Sequence, residues 1–560
     1  MKRHYGIRRL ILWVLLLGFW HACCGTAPCS ADEDLFEARL NRGLFNTDPY
    51  AYLLIEKARA EKMHAKEYLS SAQKFSPDLP AVYFAFAAQG LPRSLHEALE
   101  RIDYFVQGIE AYARNFWWLF NLSGLLFLSI ITSYVLSLCV VVAMRFPMEY
   151  RLLSHDIRED KRKALLLAVP LFLSFFGFFL FVAGTLFVFG LYFRPRERIL
   201  VYCALLSLLL WPVMAKFAHT FLSSPSPELR GTVAVNEGRD NSYALLTLAR
   251  SKDFAPTFSY ALAAKREGRY AEAISRYKAL IGKQHDALVY TNLGNAYYAA
   301  TDTEAAKNAY RKAISVDPRA AANYNLSQVL RAALDFPQGS EYFLAAAKLD
   351  REAVSRFASA ADSNPNRFVA DELLPMSAFW EYAREESNVP ASAYMIPFVS
   401  GLIMIPAFSF LGRRLREGSR RCKRCGEVFC NACSGSRTWG GMCARCYKFF
   451  VRVDELDSRE RISRLMTLHQ RQTRRRRTAK ILSYVFPGTG QIYAGRLTAG
   501  LLLLWPFLFS LTVSVMNRHP FVGLSPFEQN WVTLVALVPA FFSYLFSISH
   551  IRKGLQRGWL

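Results

Sequence analysis

The chain has 560 residues, 52% of them hydrophobic and 14% aromatic, and its formal net charge is +24. The apolar residues gather in runs of about twenty or more, a pattern that is typical of bilayer spans and excludes one soluble globular domain. The segments 32–115 and 223–393 contain no cysteine, which excludes a disulfide framework for them.

The N-terminus has the pattern of an export signal. Four basic residues lie within the first nine, the short apolar run LILWVLLLGFW follows, and small residues end at CSA before Asp32. This order matches a secretory signal with a cleavage site. We therefore predict a signal peptide at 1–31, with an uncleaved anchor as the alternative.

Residues 32–115 predict a soluble helical domain. Within EKARAEKMHAKEYLSSAQKF, apolar or small residues recur at three-and-four spacing. This segment carries ten Lys/Arg and thirteen Asp/Glu, a net charge of −3, and residues 223–393 carry twenty of each. The positive excess therefore lies in the signal, the short loops, the cysteine-rich segment and the tail, as in a polytopic protein whose basic residues face the cytoplasm.

The apolar runs predict a mainly α-helical, polytopic membrane protein of five or six spans. A polar, basic loop follows the first run, and the run at 164–193 has basic residues at both ends. The predicted regions and their apolar runs are, in chain order, a membrane region at 116–222 with runs at 117–144, 164–193 and 199–222, a transmembrane helix at 394–412, and a two-span membrane domain at 480–560 with spans at 480–515 and 530–550.

An internal repeat lies between residues 242 and 350. AAKREGRYAEAISRYKALI is echoed by NAYYAATDTEAAKNAYRKAISVDP after a step of 33 residues. The second copy resembles the tetratricopeptide repeat (TPR) at the consensus positions Tyr290, Leu293, Gly294, Tyr297, Ala306, Tyr310, Ala313 and Pro318. The resemblance implies an α-solenoid of helix pairs, a TPR domain at 223–393, flanked by weaker copies before and after the best one.

A TPR stack offers a concave groove for a peptide or a partner helix and supplies no catalytic group. Two interpretations of the helix-surface cations Arg266, Arg269, Lys307 and Arg311 stay open. They form an ordinary solvated face, or they clamp an acidic segment of a partner.

The segment 413–450 contains three CxxC pairs within CKRCGEVFCNACSGSRTWGGMCARC. Two such pairs can complete a tetrahedral four-thiolate zinc site. Only four residues separate the first two pairs, which is tight for a zinc ribbon loop, so we predict that Zn²⁺ binds the first and third pairs. The predicted ligands are Cys422, Cys425, Cys443 and Cys446, with Cys430 and Cys433 as additional candidates. The alternative is disulfide exchange through the CxxC pairs.

CKRCGEVFCNACS followed by MCARCY resembles the closing part of a FYVE-type zinc finger. The family's interleaved arrangement implies that the knuckles corresponding to the first and third pairs share one zinc. It also implies that the middle pair shares a second zinc with an earlier CxxC, which this sequence lacks. The family's paired histidines are missing too, so phosphoinositide recognition is not expected.

Basic residues surround the cysteine-rich module. The stretch 413–424 and the run Arg474 to Arg477, within a basic linker at 451–479, both adjoin apolar segments. Arginines in such positions contact anionic headgroups and fix orientation. We therefore expect membrane lipids rather than nucleic acid as their partners, since no interleaved aromatic residues are present to stack bases.

The tail opens with SYVFPGTGQIYAGRLTAGLLLLW, which resembles a small bacterial two-span membrane domain marked by PGxGQxYxG. The matching residues are Pro487, Gly488, Gly490, Gln491, Tyr493, Gly495 and Gly500. Glycines here permit close helix packing or a helix break, and Tyr493 can anchor at headgroup level. A phosphate loop is not expected, because no Gly-Lys-Ser/Thr follows.

The side of the membrane on which each module lies follows from charge. The predicted helix 394–412 has EYAREESNVP before it and RRLREGSRR after it, which favours repeats outside and cysteines inside. This orientation requires that one of the runs 164–193 and 199–222 does not cross.

Taken together, the patterns predict a non-enzymatic protein of a bacterial inner membrane, with periplasmic repeats and a cytoplasmic zinc module. The ten histidines are scattered and no HExxH or GxSxG occurs. We expect a scaffold or assembly factor that holds a protein partner in its TPR groove, and the sequence identifies no small-molecule substrate. The alternative is a component of a transporter or channel complex.

Overall fold

The computed structural model describes residues 35–36, 39–40, 44–90, 92, 94–159, 161–223, 226–239, 242–363, 368–387, 389–414, 419–422, 424–430, 441–451, 458–518 and 526–558. The predicted signal peptide lies outside these residues. The chain divides into two compact units, of which the first comprises Met1–Phe116 and Pro225–Ala383 and the second comprises Trp117–Ser224 and Arg384–Leu560.

The regular elements among the described residues of the first unit are helices, and non-helical segments such as 368–375 join them. Helices that precede residue 117 and helices that follow residue 224 both belong to it. The helices are α1 (Asp48–Ala60), α2 (Ala65–Phe75), α3 (Pro80–Ala87) and α4 (Leu95–Arg114), and then α10 (Pro227–Asn236), α11 (Ser242–Leu248), α12 (Phe254–Arg266), α13 (Tyr270–Lys278), α14 (Asp286–Ala299), α15 (Thr303–Val316), α16 (Ala320–Ala332), α17 (Phe336–Leu349), α18 (Arg351–Ser363) and α19 (Met376–Glu386).

Backbone and side-chain hydrogen bonds join the N-terminal part of the first unit to the start of the repeats. The amide of Phe45 donates to the Gly238 carbonyl at 2.7 Å, and the Asn46 carboxamide donates to the Glu237 carbonyl at 2.8 Å. The Glu237 carboxylate in turn accepts the backbone N–H of Phe116 at 2.8 Å. The segments 32–115 and 223–393, which are far apart in sequence, therefore contribute to one folded unit.

The second unit contains the apolar helices and a two-stranded ribbon. Its core includes Leu153, Phe187, Val201, Phe408 and Leu504 from five different helices. The elements are α5 (Phe116–Glu159), a 3₁₀ helix (Lys161–Leu167), α6 (Ala168–Ser174), α7 (Phe178–Gly190), α8 (Arg198–Leu209), α9 (Trp211–Leu222), α20 (Ala391–Arg414), β1 (Arg420–Arg421), β2 (Val428–Phe429), α21 (Ala444–Val451), α22 (Ser458–Val485), α23 (Thr489–Tyr493), α24 (Leu497–Met516) and α25 (Pro526–Gln556).

Four of the described helices are long and apolar enough to cross a membrane, and a fifth span is counted if a bent pair is one span. The bent pair is α8 with α9, whose axes differ by 63°. The four helical stretches are Phe116–Arg158, Ala393–Arg413, Leu497–Met516 and Gln529–Gln556. Several apolar helices are thus candidate spans, which agrees with the predicted polytopic, mainly α-helical class.

The run 164–193 does not form one helix. It consists of part of the 3₁₀ helix, α6, a break ending at Gly177 with φ of +127°, and α7, which is too short to span. The two helices pack closely, since a Cβ on Gly184 would lie 2.9 Å from Leu173 and 3.2 Å from the Pro170 backbone. The chain therefore folds back on itself within this run.

The polar, basic segment after the first apolar run is helical, and the loop predicted there is wrong. The helix α5 continues through Pro147 to Glu159. Its charged end is stabilised because Arg145 pairs with Glu149 one turn later, at 3.4 Å, and Leu153 is fully buried. Basic composition alone did not reveal these internal contacts.

The PGxGQ segment ties α22, α23, α24 and α25 together. Gly488 has φ of +86°, and a Cβ there would lie 2.2 Å from the Gly500 carbonyl oxygen. The buried Gln491 carboxamide donates to the Ser547 carbonyl at 2.8 Å, and the Gly488 N–H donates to the Ser547 hydroxyl at 2.9 Å. These glycines permit close helix packing, and the candidate span begins only at Leu497.

Candidate functional site

In the best repeat copy, a glycine and a tyrosine form the close contact between the two helices. Gly294 on α14 faces the ring of Tyr310 on α15, and a Cβ on Gly294 would lie 2.5 Å from that ring. Tyr310 is fully buried and packs with Ala306, Leu326 and other apolar residues. The spacing of small and aromatic residues therefore allows the close helix contact that the consensus requires.

The remaining consensus residues divide into buried and surface positions. Leu293 and Ala313 are buried, Tyr290 and Tyr297 are half-buried, and Pro318 is exposed after the end of α15. The flanking copies repeat the pattern with aromatic contacts, since Tyr277 meets Phe258 and Tyr324 meets Phe343.

The chain's own residues 368–375 lie against the first helix of four successive helix pairs. Asparagine carboxamides hold this segment by its backbone. Asn325 accepts the Ala370 N–H at 2.7 Å and donates to the Ala370 carbonyl at 2.8 Å. Asn292 does the same for Glu372, at 2.9 and 2.8 Å.

Two further asparagines complete this set. The Asn295 amide donates to the Ala370 carbonyl at 2.8 Å, and Asn236 accepts the Leu374 N–H at 2.9 Å. The bonded positions are every second residue, which is the period of an extended strand. We call Asn236, Asn292, Asn295 and Asn325 the asparagine ladder.

Charged side chains add to the backbone contacts. Lys265 forms an ion pair with Asp371, and the Arg266 guanidinium lies 3.7 Å from the same carboxylate. The Nε of Arg319 donates to Glu372 at 3.2 Å. Burial lowers the pKa of Arg266 from its usual value, and the Asp371 carboxylate counters that effect.

Of the four repeat cations, only Arg266 fits the interpretation as a clamp for an acidic segment. Arg269 pairs with Glu267 and Glu272 on the helix surface, and Lys307 pairs with its neighbour Glu304. Arg311 is exposed.

The asparagine ladder was missed at the sequence level, although a signal for it existed. Asn292 and Asn325 are separated by 33 residues, the step of the repeat, and so occupy the same position in successive copies. Both are completely buried. A buried carboxamide at a repeated position needs a polar partner, and that partner is the segment 368–375.

Four cysteine sulfurs of the second unit lie together. The Sγ atoms of Cys422, Cys425, Cys443 and Cys446 are all within 4.8 Å of one another, and Cys425 and Cys443 are 3.6 Å apart. Metal–sulfur bonds of 2.3 Å in a tetrahedron place sulfurs about 3.8 Å apart. The first and third CxxC pairs therefore fit a four-thiolate metal site.

Local backbone structure explains how the two CxxC pairs bring their sulfurs together. Gly426, with φ of +71°, closes a turn in which its N–H donates to the Cys422 carbonyl at 2.9 Å. The strands β1 and β2 flank that turn in antiparallel register. The third pair sits where α21 begins, after Gly441 with φ of +77°.

Burial and hydrogen bonding shift the pKa values of these thiols in different directions. Burial raises the pKa of Cys422, but backbone amides including those of Cys425 and Cys443 lower it by more, to about 6. Burial raises the pKa of Cys425 to about 11 and also raises the pKa of Cys446. Four crowded thiols cannot all ionise without a cation, so a divalent metal would have to displace protons.

The structure describes only one cysteine of the middle CxxC pair. Cys430 is buried beside the ribbon, and Cys433 lies outside the described residues. Cys430 does not belong to the four-sulfur cluster.

Ion pairs attach the cysteine module to the end of α5. Arg421, next to Cys422, lies 3.3 Å from Glu149. Glu149 also pairs with Arg145, whose other guanidinium nitrogen donates to Glu197 at 2.6 Å. The backbone N–H of Ser419 donates to Asp156 at 3.1 Å. The module is thus fixed to the helical bundle on one side.

The comparisons with known proteins bear on the repeat. The tetratricopeptide repeat family matches residues 287–320, which comprise most of α14, all of α15 and the first residue of α16. The chain matches none of the curated proteins. The family match agrees with the consensus positions and with the helix pairing, and it covers one repeat.

Proposed function

We propose that this protein is a membrane-anchored, non-enzymatic scaffold whose repeat unit holds a protein partner. The observation that carries the proposal is a TPR-type unit whose face already accommodates an extended polypeptide. TPR arrays generally serve protein–protein interaction. The candidate spans would confine such an interaction to the membrane surface.

The fold of the first unit supports a specific topology. Because the segments before and after 117–224 pack into one unit, a bilayer cannot separate them, and the chain between must cross an even number of times. We propose that α5 and the bent pair α8–α9 provide two crossings and that the broken run 164–193 provides none. One further crossing by α20 would then place the cysteine module on the opposite side from the repeats.

Charge supports the assignment of sides. The basic residues near the cysteine module and in α22 favour the cytoplasmic side for that module, and the signal sequence favours an external first unit. We propose a bacterial inner membrane, with periplasmic repeats and Zn²⁺ as the metal of a structural cytoplasmic module. Zinc is favoured because four thiolates in a tetrahedron are its preferred ligands.

Topology is tested with a cysteine introduced at residue 57, 300 or 557 of a variant lacking Cys139 and Cys203; the variant without the introduced cysteine gives the labelling background of the remaining native cysteines. A membrane-impermeant thiol reagent applied to intact spheroplasts should label positions 57 and 300 and leave 557 unlabelled. Labelling of 57 without 300 would contradict the two-crossing arrangement.

The scaffold role is tested by cross-linking mass spectrometry on the full chain in its native membranes. Lys278, Lys283 and Lys312 are exposed on the repeat unit and serve as reporters. Cross-links from these lysines to a second polypeptide support the proposal. Cross-links to a second polypeptide confined to the second unit, or none at all, would refute it.

A further inference from the structure

The segment 368–375 is bound chiefly in a way that does not depend on its side chains. Six hydrogen bonds join the asparagine ladder to the backbone of Ala370, Glu372 and Leu374. Hydrogen bonds to the main chain supply affinity for any extended peptide, whereas side-chain pockets select among peptides. The ladder is therefore a receptor for an extended chain.

Charge determines which extended chain fits. Three cations face the adjacent carboxylates of Asp371 and Glu372: Lys265 and Arg266 at the end of α12, and Arg319 at the start of α16. Asn295 also donates to Asp371 at 3.0 Å. A buried guanidinium without a carboxylate carries a desolvation cost, so the groove favours an acidic pair at this point.

Apolar contacts frame the acidic pair. Phe368 stacks on Tyr298 with ring centroids 5.8 Å apart, and Val369 packs against the core that contains Tyr310. Leu374 is 5% exposed. The segment thus reads aromatic, aliphatic, small, Asp, Glu, with a buried leucine two positions after the glutamate.

We propose that the asparagine ladder is the binding site for an extended acidic segment of a partner polypeptide, and that residues 368–375 occupy this site as an intramolecular substitute that the partner displaces. The inference rests on the proposed scaffold function and specifies its partner. The partner segment carries two adjacent carboxylates between apolar residues, as Phe368-Val-Ala-Asp-Glu-Leu-Leu-Pro375 does.

Occupancy by a tethered segment has a measurable consequence. A tethered ligand competes at an effective concentration on the order of millimolar. A free peptide therefore binds the intact chain far more weakly than it binds a chain whose own segment has been removed from competition.

The experiment uses the full chain in detergent micelles and a fluorescein-labelled peptide with the sequence of residues 368–375. In one variant, residues 368–374 are replaced by Gly and Ser at equal length. Fluorescence anisotropy should show peptide binding at least about 100-fold tighter to this variant than to the unaltered chain. A peptide with Lys at both acidic positions should bind at least about 10-fold more weakly than the labelled peptide.

A matched pair of substitutions shows whether the ladder is responsible. Asn292→Ala with Asn325→Ala, made in the Gly/Ser variant, should abolish peptide binding. Asn323→Ala is the control, because Asn323 is also buried on α16 but donates to the Arg319 carbonyl and not to the segment. Peptide affinity should be unchanged in that control.

Two outcomes overturn the inference. The first is a Gly/Ser variant that keeps its helical circular dichroism and melting transition but binds the peptide no better than a scrambled one. The second is a wild-type dimer in which the segment of one copy cross-links to the ladder of the other. If the Gly/Ser variant does not fold, Asp371→Ala with Glu372→Ala weakens the tethered segment instead, and unchanged peptide affinity in it would also overturn the inference.

The outcomes separate this inference from the scaffold function. Peptide binding can fail while Lys278, Lys283 and Lys312 still cross-link to a partner, in which case the scaffold stands and the ladder is only structural. If peptide binds and no partner cross-links are found, the scaffold proposal fails.

Discussion

The repeat unit and the cysteine module differ in the size of their buried cores. The repeat unit has large buried side chains, such as Tyr277, Tyr310 and Phe258, that pack across helix pairs. The cysteine module has a core of four cysteines with Phe429, Met442 and Phe450. A core this small cannot offset the entropy of ordering the chain, so we expect the module to need a metal where the repeats need only packing.

Removal of the metal should have the largest effect, and it should affect the cysteine module but not the repeat unit. Substituting Cys443→Ser should reduce bound metal from one ion per chain to none and leave the module sensitive to protease, because a structural zinc contributes roughly 10–16 kcal/mol to such a fold. The melting transition of the first unit should not change. Elemental analysis and limited proteolysis measure both effects.

The control for metal removal is Cys203→Ser, which alters an exposed cysteine outside the cluster and should keep the ion. Since the ligands must be deprotonated, metal affinity should fall as pH is lowered. A chain that loses the metal with no gain in proteolysis would contradict the contrast.

Packing glycines should give the next largest effect in both units. Gly500→Ala places a Cβ 2.5 Å from Ile492 and 2.7 Å from the Gly488 backbone, and Gly294→Ala places one 2.5 Å from the Tyr310 ring. Overpacking of this kind costs about 1–3 kcal/mol. We expect Gly500→Ala to be the more damaging, because a backbone atom yields less than a ring.

Thermal unfolding of each glycine variant in detergent gives the measurement. Asn308→Ala, on the exposed face of α15, is the neutral reference and should shift stability by less than about 0.5 kcal/mol. Equal stability of Gly500→Ala and this reference would show that the PGxGQ segment is not tightly packed.

A smaller effect is expected from Tyr310→Phe. The Tyr310 hydroxyl donates to the Asn295 carboxamide oxygen at 2.8 Å, and the Asn325 amide donates to the same oxygen at 2.8 Å. Removing one of two donors should cost about 1 kcal/mol of unfolding free energy. Denaturant titration measures it, with Tyr298→Phe as the ring-preserving control; a loss above about 3 kcal/mol would indicate that the ladder depends on this hydroxyl.

The smallest effect is a change in pH dependence. Burial raises the pKa of Glu372, and Arg319 offsets this only in part. The folded state thus binds a proton more readily than the unfolded state, so this group favours folding at low pH and loses that contribution as pH rises through its folded pKa. Glu372→Gln should flatten the pH profile of the melting temperature. An unaltered profile would exclude this glutamate as a source of the pH dependence.

Sequence patterns predicted what is repeated or regularly spaced. The TPR positions were predicted from the 33-residue repeat, and the candidate spans were predicted from the length of the apolar runs. The grouping of the first and third CxxC pairs was predicted from ligand spacing. The asparagine ladder could not be predicted with its ligand, because Asn292 and Glu372 are 80 residues apart and meet only after the chain between them has folded. The helical continuation of α5 also depended on distant contacts, such as Glu149 with Arg421.

The shared fold of the first unit has a consequence for how the protein is made. Its N-terminal part is complete at Phe116, but the repeats that it packs against end at Ala383, 267 residues later. At about 5–20 residues per second, translation needs roughly 15–50 s to cover that distance. During this interval Asn46 and Phe116 lack their partners Glu237 and Phe379 in the later part of the first unit. We therefore expect the early helices to need a chaperone until the rest of the unit has been made.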